Sequence, residues 1–239
     1  TLRELYQRSI EWGMELDPRG PEALRQQLQL VREEYEKLTG RARLLFDAER
    51  LNNPFGDTRI MCGDPDTELR RVIVGIDIDT PEVLLAEALR QRGEPVDAII
   101  AHHASALSAM TSAEDTMGVQ VDMMVAHGVL RSRAETLVRQ DIEGRPRPCD
   151  YRIVQVAEAL DIPLMAVHTP ADVHVYDFAH RQVAARQPRK VADLVEMVAE
   201  WPEVQWAIER GQEPKVAAGD GRNSIGKLHV KSATYGIYD

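Results

Sequence analysis

Four of the seven histidines fall in two short segments: His102 and His103 in AIIAHHAS, and His168 and His174 in AVHTPADVH. The second segment is an ordered set, His168-Thr-Pro-Ala-Asp172-Val-His174, read as a loop that Pro170 stiffens and to which Asp172 adds a carboxylate. Imidazole and carboxylate without thiolate is a donor set for Zn, Mn or Fe. Adjacent histidines on a straight strand point to opposite faces, so His102 and His103 should not grip one small ion together while the chain stays extended. With a turn at the strand end they could ligate separate ions of a pair, with Asp172 bridging metals roughly 3.5 to 4 Å apart. Such a centre lowers the pKa of a bound water beside an electrophile, and the reaction class that follows is hydrolysis. An isolated His-His dipeptide is explained as well by surface or hydrogen-bonded imidazoles. The second segment, at the end of another strand, is what gives the pair its weight.

Both segments must be delivered by elements that end together. Arg71 to Ile78 is short, β-branched and nearly continuous in apolar residues, the pattern of a strand buried on both faces. Thr80 and Pro81 open an amphipathic helix, and capping before Pro81 accounts for at least one of Asp77 and Asp79. Val96 to Ala101 and Ile162 to Val167 are two further strands, each running directly into one histidine segment. Helices are expected around Thr116 to Val129, Ser132 to Gln140 and Tyr151 to Leu160, with a loop at Gly144 to Pro148. Strands alternating with helices form a mostly parallel sheet covered by helices, an α/β fold, because parallel neighbours need long crossovers. Open sheets of this kind place binding crevices at the C-terminal ends of strands, where both histidine segments lie.

Ahead of the sheet, residues 1–57 read as a helical segment packed on the core, with Pro21 in the first turn of a second helix and Gly40 as its C-terminal cap. Asn52 to Asp57 is a loop by composition, and Arg59 to Cys62 is extended. Residues 58–187 form the α/β core with the metal-site loops. Residues 188–239 are a helical segment, with a polar turn at Gly211 to Asn223, Lys227 to Lys231 as the start of a strand, and the beginning of a second lobe.

Composition narrows the partners. The chain has 239 residues, and 29 Lys+Arg against 39 Asp+Glu leave a net charge of -10, which opposes a broad phosphate-tracking surface and makes nucleic acid an unexpected partner. Cys62 and Cys149 form no C-x-x-C, so a reducing, cytoplasmic setting fits. No apolar run reaches the roughly 18 residues of a membrane span, and the start lacks a signal-peptide layout. The chain begins on Thr1 and not on Met, which reads as a fragment or a trimmed chain. Gly219, Gly221 and Gly226 make no nucleotide-binding glycine motif. Arg145, Arg147 and Arg152 are candidate phosphate contacts, although solvated arginines are the simpler reading. The tryptophans, Trp12, Trp201 and Trp206, read as helix packing, and His127 before Gly128 as a helix-end residue.

Three segments together resemble the NIF-three-like proteins, a family also described as GTP cyclohydrolase I type 2 or dinuclear-metal-centre hexameric proteins. They are Cys62-Gly-Asp-Pro65 with the RVIVGIDID strand, VDAIIAHH, and IPLMAVHTPAD, in matching order and spacing. The resemblance implies an α/β fold of two related lobes, a centre of two divalent ions (Zn, Mn, Fe or Co) in the cleft between them, and a homohexameric ring acting on a small molecule. On the residues that align, it assigns metal ligation to His102, His103 and Asp172, with His168 beside or within that shell. Ala104 stands where the family usually has Pro. The family completes its centre with a C-terminal His-x-x-x-Glu, and no such pattern follows His174; His229 is followed four residues later by Ala233. The expectation is therefore a second lobe cut short and a metal held singly or weakly. Metal handling or scaffolding by a ring is the alternative to hydrolysis.

Overall fold

A computed structural model describes residues 1–104, 118, 121–122, 124–126, 128–144, 151–226, 228 and 230; for 104 and 141–144 it describes the backbone only. The chain divides into two compact units, one described here over Thr1–His174 and the other over Val175–Ser232.

The first unit opens with α1 (Leu2–Leu16), whose Thr1 and Glu4 close a capping box, and α2 (Pro21–Lys37), with Pro21 in the first turn as the sequence requires. Gly40 does not cap α2. The helix ends on an extended Leu38, and Gly40, at φ 55°, opens the five-residue α3 (Gly40–Leu44). A 3-10 turn (Ala48–Leu51) leads to β1 (Arg59–Cys62) and β2 (Val72–Ile78). Then come α4 (Thr80–Gln91), β3 (Ala98–Ala104), α5 (Arg131–Gly144), α6 (Arg152–Ala159) and β4 (Leu164–Ala166).

The sheet order is β1-β4-β3-β2. β2, β3 and β4 run parallel and β1 lies antiparallel on β4, so the fold is the mostly parallel α/β sheet that the alternation of patterns predicts. One face packs Ile99, Ala101, Leu164 and Ala166 against Val83 and Ala86 of α4 and Ile153, Val154 and Ala157 of α6. The other packs Ala98 and Met165 with Val72 and Ile100 beneath Leu2, Leu5 and Tyr6 of α1. Burial of these apolar faces is the main force holding the layers together, at about 25 cal/mol per Å² removed from water.

β2 departs from expectation. It is an edge strand, and Val74 and Ile76 are 72% and 67% exposed. Apolar content on both faces made the strand look doubly covered, but α1 reaches only as far as Val72 on that face. Asp79 caps α4 and shares a capping box with Glu82.

The second segment of interest is helical from Thr169, so His168-to-His174 is not a loop. Pro170 is accommodated because a first-turn residue needs no intrahelical donor. The helix, α7 (Thr169–Arg186), continues into the second unit, which adds α8 (Val191–Ala199) and α9 (Pro202–Ile208). A lone bridge pairs Lys190 with Ser224. In this unit Phe178 meets Trp201 edge-on, while Trp206 is exposed beneath Arg210, so helix packing explains only the first of these tryptophans. The expected helix at Thr116 to Val129, the loop at Gly144 to Pro148 and the strand start at Lys227 to Lys231 fall partly outside the described residues. No helix among the described residues is long and apolar enough to cross a membrane.

Candidate metal centre

β3 carries His102 and His103 at its C-terminal end, and β4 stops at Ala166, two residues before His168. Pairing between β3 and β4 ends at Ala101 with Ala166, whereas β2 accompanies β3 on to Ala104. The sheet therefore narrows just where the histidines begin, the last main-chain link from the β4 side being the Val167 N–H donating to the Ala101 carbonyl at 2.8 Å. The rings of His102 and His103 come within 4.4 Å of each other and lie 4.4 and 4.9 Å from that of His168. Adjacent positions on an extended strand thus converge without a turn, contrary to the alternation argument. One ligand nitrogen from each of His102, His103 and His168 lies within 4.8 Å of the others, a group able to hold a metal ion.

Each imidazole is oriented through Nδ1. His102 Nδ1 is 3.1 Å from the Val167 carbonyl, His103 Nδ1 is 2.8 Å from Asp77 Oδ1, and His168 Nδ1 is 2.8 Å from Asp57 Oδ2. All three partners are acceptors, so in the neutral form each ring donates from Nδ1 and leaves the Nε2 lone pair for a cation. A histidine ligand needs this orientation, because the bond at one ring nitrogen sets what the other can do. The site fits a divalent ion on donor chemistry alone: three imidazoles with Asp57, Asp77 and Asp172 around them.

Asp172 lies in the first turn of α7, where a carboxylate is favoured by the helix dipole. Its Oδ1 is 3.5 Å from His102 Nε2. All four residues singled out in the sequence, His102, His103, His168 and Asp172, thus share one neighbourhood. His174 is not in the cluster; its ring meets Trp12 edge-on at 6.1 Å. His180 belongs to the second unit, and His127, His229, Arg145, Arg147 and Cys149 lie outside the described residues. Burial pushes the Cys62 thiol up to about 11, which leaves it a neutral, unreactive core group.

Electrostatics separate the two more buried imidazoles. Burial lowers the pKa of His102, and the nearby His168 lowers it further, against the opposing pull of Asp172. Burial is also the largest single influence on His168 and works against its charge. The hydrogen bond and charge of Asp57, with the charge of Asp172, together outweigh it and raise the pKa above the ordinary value.

Two residues of this arrangement carry no mark in the sequence reading. By sequence Asp77 is at most a capping residue ahead of Pro81, and Asp57 is the last residue of a loop. That loop is built tightly. Asn53 accepts from the Phe55 N–H at 2.8 Å and donates to the Thr58 carbonyl at 2.7 Å, and Phe55 is buried against Ile10 and Leu24. Asp57 is thereby aimed at the start of α7. The one available signal was an acidic residue shortly before β1, and its meaning depends on the long-range pairing of β1 with β4.

No family model matches the sequence, and no curated protein matches it. Among solved structures the fold is similar to that of a NIF3 superfamily protein from Sphaerobacter thermophilus, at a TM-score of 0.55 and 22% identity, over 84% of this chain and 68% of that one. At that identity the likeness establishes the fold, and it is the fold to which the three sequence segments point.

Proposed function

We propose that this chain is a metal-dependent, hydrolase-like protein whose centre is formed by His102, His103, His168 and Asp172 and which acts on a small molecule such as a nucleotide or phosphoester. The observation that carries this reading is the convergence of three Nδ1-anchored imidazoles within 4.8 Å at the end of a parallel sheet. A divalent cation held there supplies Lewis acidity and brings the pKa of a coordinated water toward neutrality. The chain's own groups would hold and orient it: His102, His103 and His168 would offer Nε2 and Asp172 an oxygen donor, while the Val167 carbonyl, Asp57 and, from the solvent-exposed side, Asp77 accept from the Nδ1 protons.

The resemblance to NIF-three-like proteins extends the proposal to two ions per subunit in a complete centre, drawn from Zn, Mn, Fe or Co, and to a homohexameric ring. The residue ranges 1–57, 58–187 and 188–239 are proposed as helical segment, core and start of a second lobe. A cytoplasmic setting is supported by the sparse cysteines, and a partner other than nucleic acid by the net charge of -10.

The test is to strip the purified protein with a chelator, reload it separately with Zn, Mn, Fe and Co, measure bound metal by elemental analysis, and screen nucleotides and phosphoesters. Turnover that disappears in Asp172→Asn supports the enzyme. Tight metal binding without turnover on any substrate marks a metal-handling protein instead, and failure to bind any of the four ions overturns the metal centre.

A further inference from the structure

We propose that Asp57 is the positioning residue of this centre, fixing both the ring of His168 and the helix turn that carries Asp172; the inference rests on reading His102, His103, His168 and Asp172 as a metal centre. Asp57 Oδ2 accepts from His168 Nδ1 at 2.8 Å and from the Thr169 hydroxyl at 2.6 Å. Its Oδ1 accepts from the Thr169 N–H at 3.3 Å. The neighbouring Thr58 hydroxyl accepts from the His168 N–H at 3.2 Å, which fixes the backbone that bears the ring. One short segment ahead of β1 thus holds His168 by side chain and main chain and takes up an N-terminal donor of α7. Asp172 begins three residues beyond Thr169, on the same helical turn.

A cap for the helix start alone would need only a neutral oxygen, as Ser, Thr or Asn provides. A carboxylate shared with an imidazole does more. It holds the proton on Nδ1, makes Nε2 a stronger donor, and places a negative charge one ring away from where a cation would sit. The contrast with Asp77 separates this role from generic pairing. Asp77 makes the equivalent 2.8 Å bond to His103, but its side chain is 87% exposed, whereas that of Asp57 is 5% exposed. Water replaces the first partner readily and the second poorly, so the centre should depend unequally on two bonds of equal length.

The experiment compares wild type, Asp57→Asn and Asp77→Asn in two measurements. Long-range proton–nitrogen correlation on the metal-free protein, above the pH at which His168 titrates, reports which ring nitrogen holds the proton. Competition against a chromophoric chelator reports Zn affinity. The expected results are an Nδ1–H ring for His168 in wild type, loss of that single tautomer in Asp57→Asn, and a roughly 10- to 100-fold weaker Zn affinity in that variant. Asp77→Asn should stay within about fivefold of wild type, the weight of an exposed ion pair. An Nε2–H ring in the wild type overturns the proposal without any variant, so a poorly folding Asp57→Asn does not rescue it. Wild-type Zn affinity in a folded Asp57→Asn overturns the positioning role while leaving the metal centre standing. If wild type binds no Zn, Mn, Fe or Co, the metal centre falls and this assignment falls with it.

Discussion

His102 Nε2 and Asp172 Oδ1 stand 3.5 Å apart, one from the last residues of β3 and the other from the first turn of α7. The closeness follows from topology: β3 and β4 are parallel neighbours, so the strand end that bears His102 and the helix that leaves β4 emerge on the same side. If both are donors to one centre, His102→Ala and Asp172→Asn should each cost more than the roughly 100-fold in metal affinity that marks the loss of an outer partner. Titration with Zn and Mn by calorimetry checks this. Unchanged affinity in both variants excludes the pairing as a shared site.

The opposite shifts of His102 and His168 give opposite pH signatures in metal-free protein. His168 is raised, so its contribution to stability is complete below the unfolded value of about 6.5 and is lost as pH rises through the higher folded value. His102 is lowered, so its contribution is present above about 6.5 and is lost as pH falls through the lower folded value. The difference in melting temperature between wild type and His168→Ala should therefore shrink with rising pH, and that for His102→Ala should grow. Metal affinity should rise across the His168 window, because the ion competes with the proton for Nε2. A His168→Ala difference that grows with pH contradicts the assignment of its partners.

The parallel sheet and the clustering of His102, His103, His168 and Asp172 were legible because they rest on local signals: apolar runs of strand length, and polar residues directly after them. Three features were not. The exposure of Val74 and Ile76 on β2 depends on how far α1 reaches past Val72, which the run VIVGIDI does not reveal. The helical state of Thr169 to His174 was hidden by Pro170, which breaks a helix interior but suits a first turn. The partnership of Asp57 with His168 spans 111 positions and exists only because β1 folds back antiparallel on β4. Composition marks such a residue as loop, and only the assembled sheet shows what it faces.

The same β1–β4 pairing sets a demand on Gly63. It follows β1 with φ 96°, and a Cβ there would come within 2.6 Å of the Pro163 Cα, just ahead of β4. Neither the backbone angle nor the neighbour can yield cheaply, since the contact is main chain. Gly63→Ala should lose roughly 1 to 3 kcal/mol from the disfavoured conformation, with the clash adding to it. Urea denaturation measures the loss. A variant as stable as wild type would show that the turn relaxes freely and does not hold β1 in register.

The exposure of β2 makes a paired prediction about its apolar residues. Ile76 lies on the edge strand and is 67% exposed, while Ile99 on the adjacent β3 has no exposed surface. A sequence-level view treats them alike, as β-branched residues in continuous apolar strands. Physically they differ, because only Ile99 leaves a cavity when truncated. Ile99→Ala should cost about 2 to 5 kcal/mol, and Ile76→Thr should remain within about 0.5 kcal/mol of wild type. Both are read from urea midpoints at constant slope. If Ile76→Thr proves as costly as the core substitution, β2 is covered in solution and the sheet does not end there.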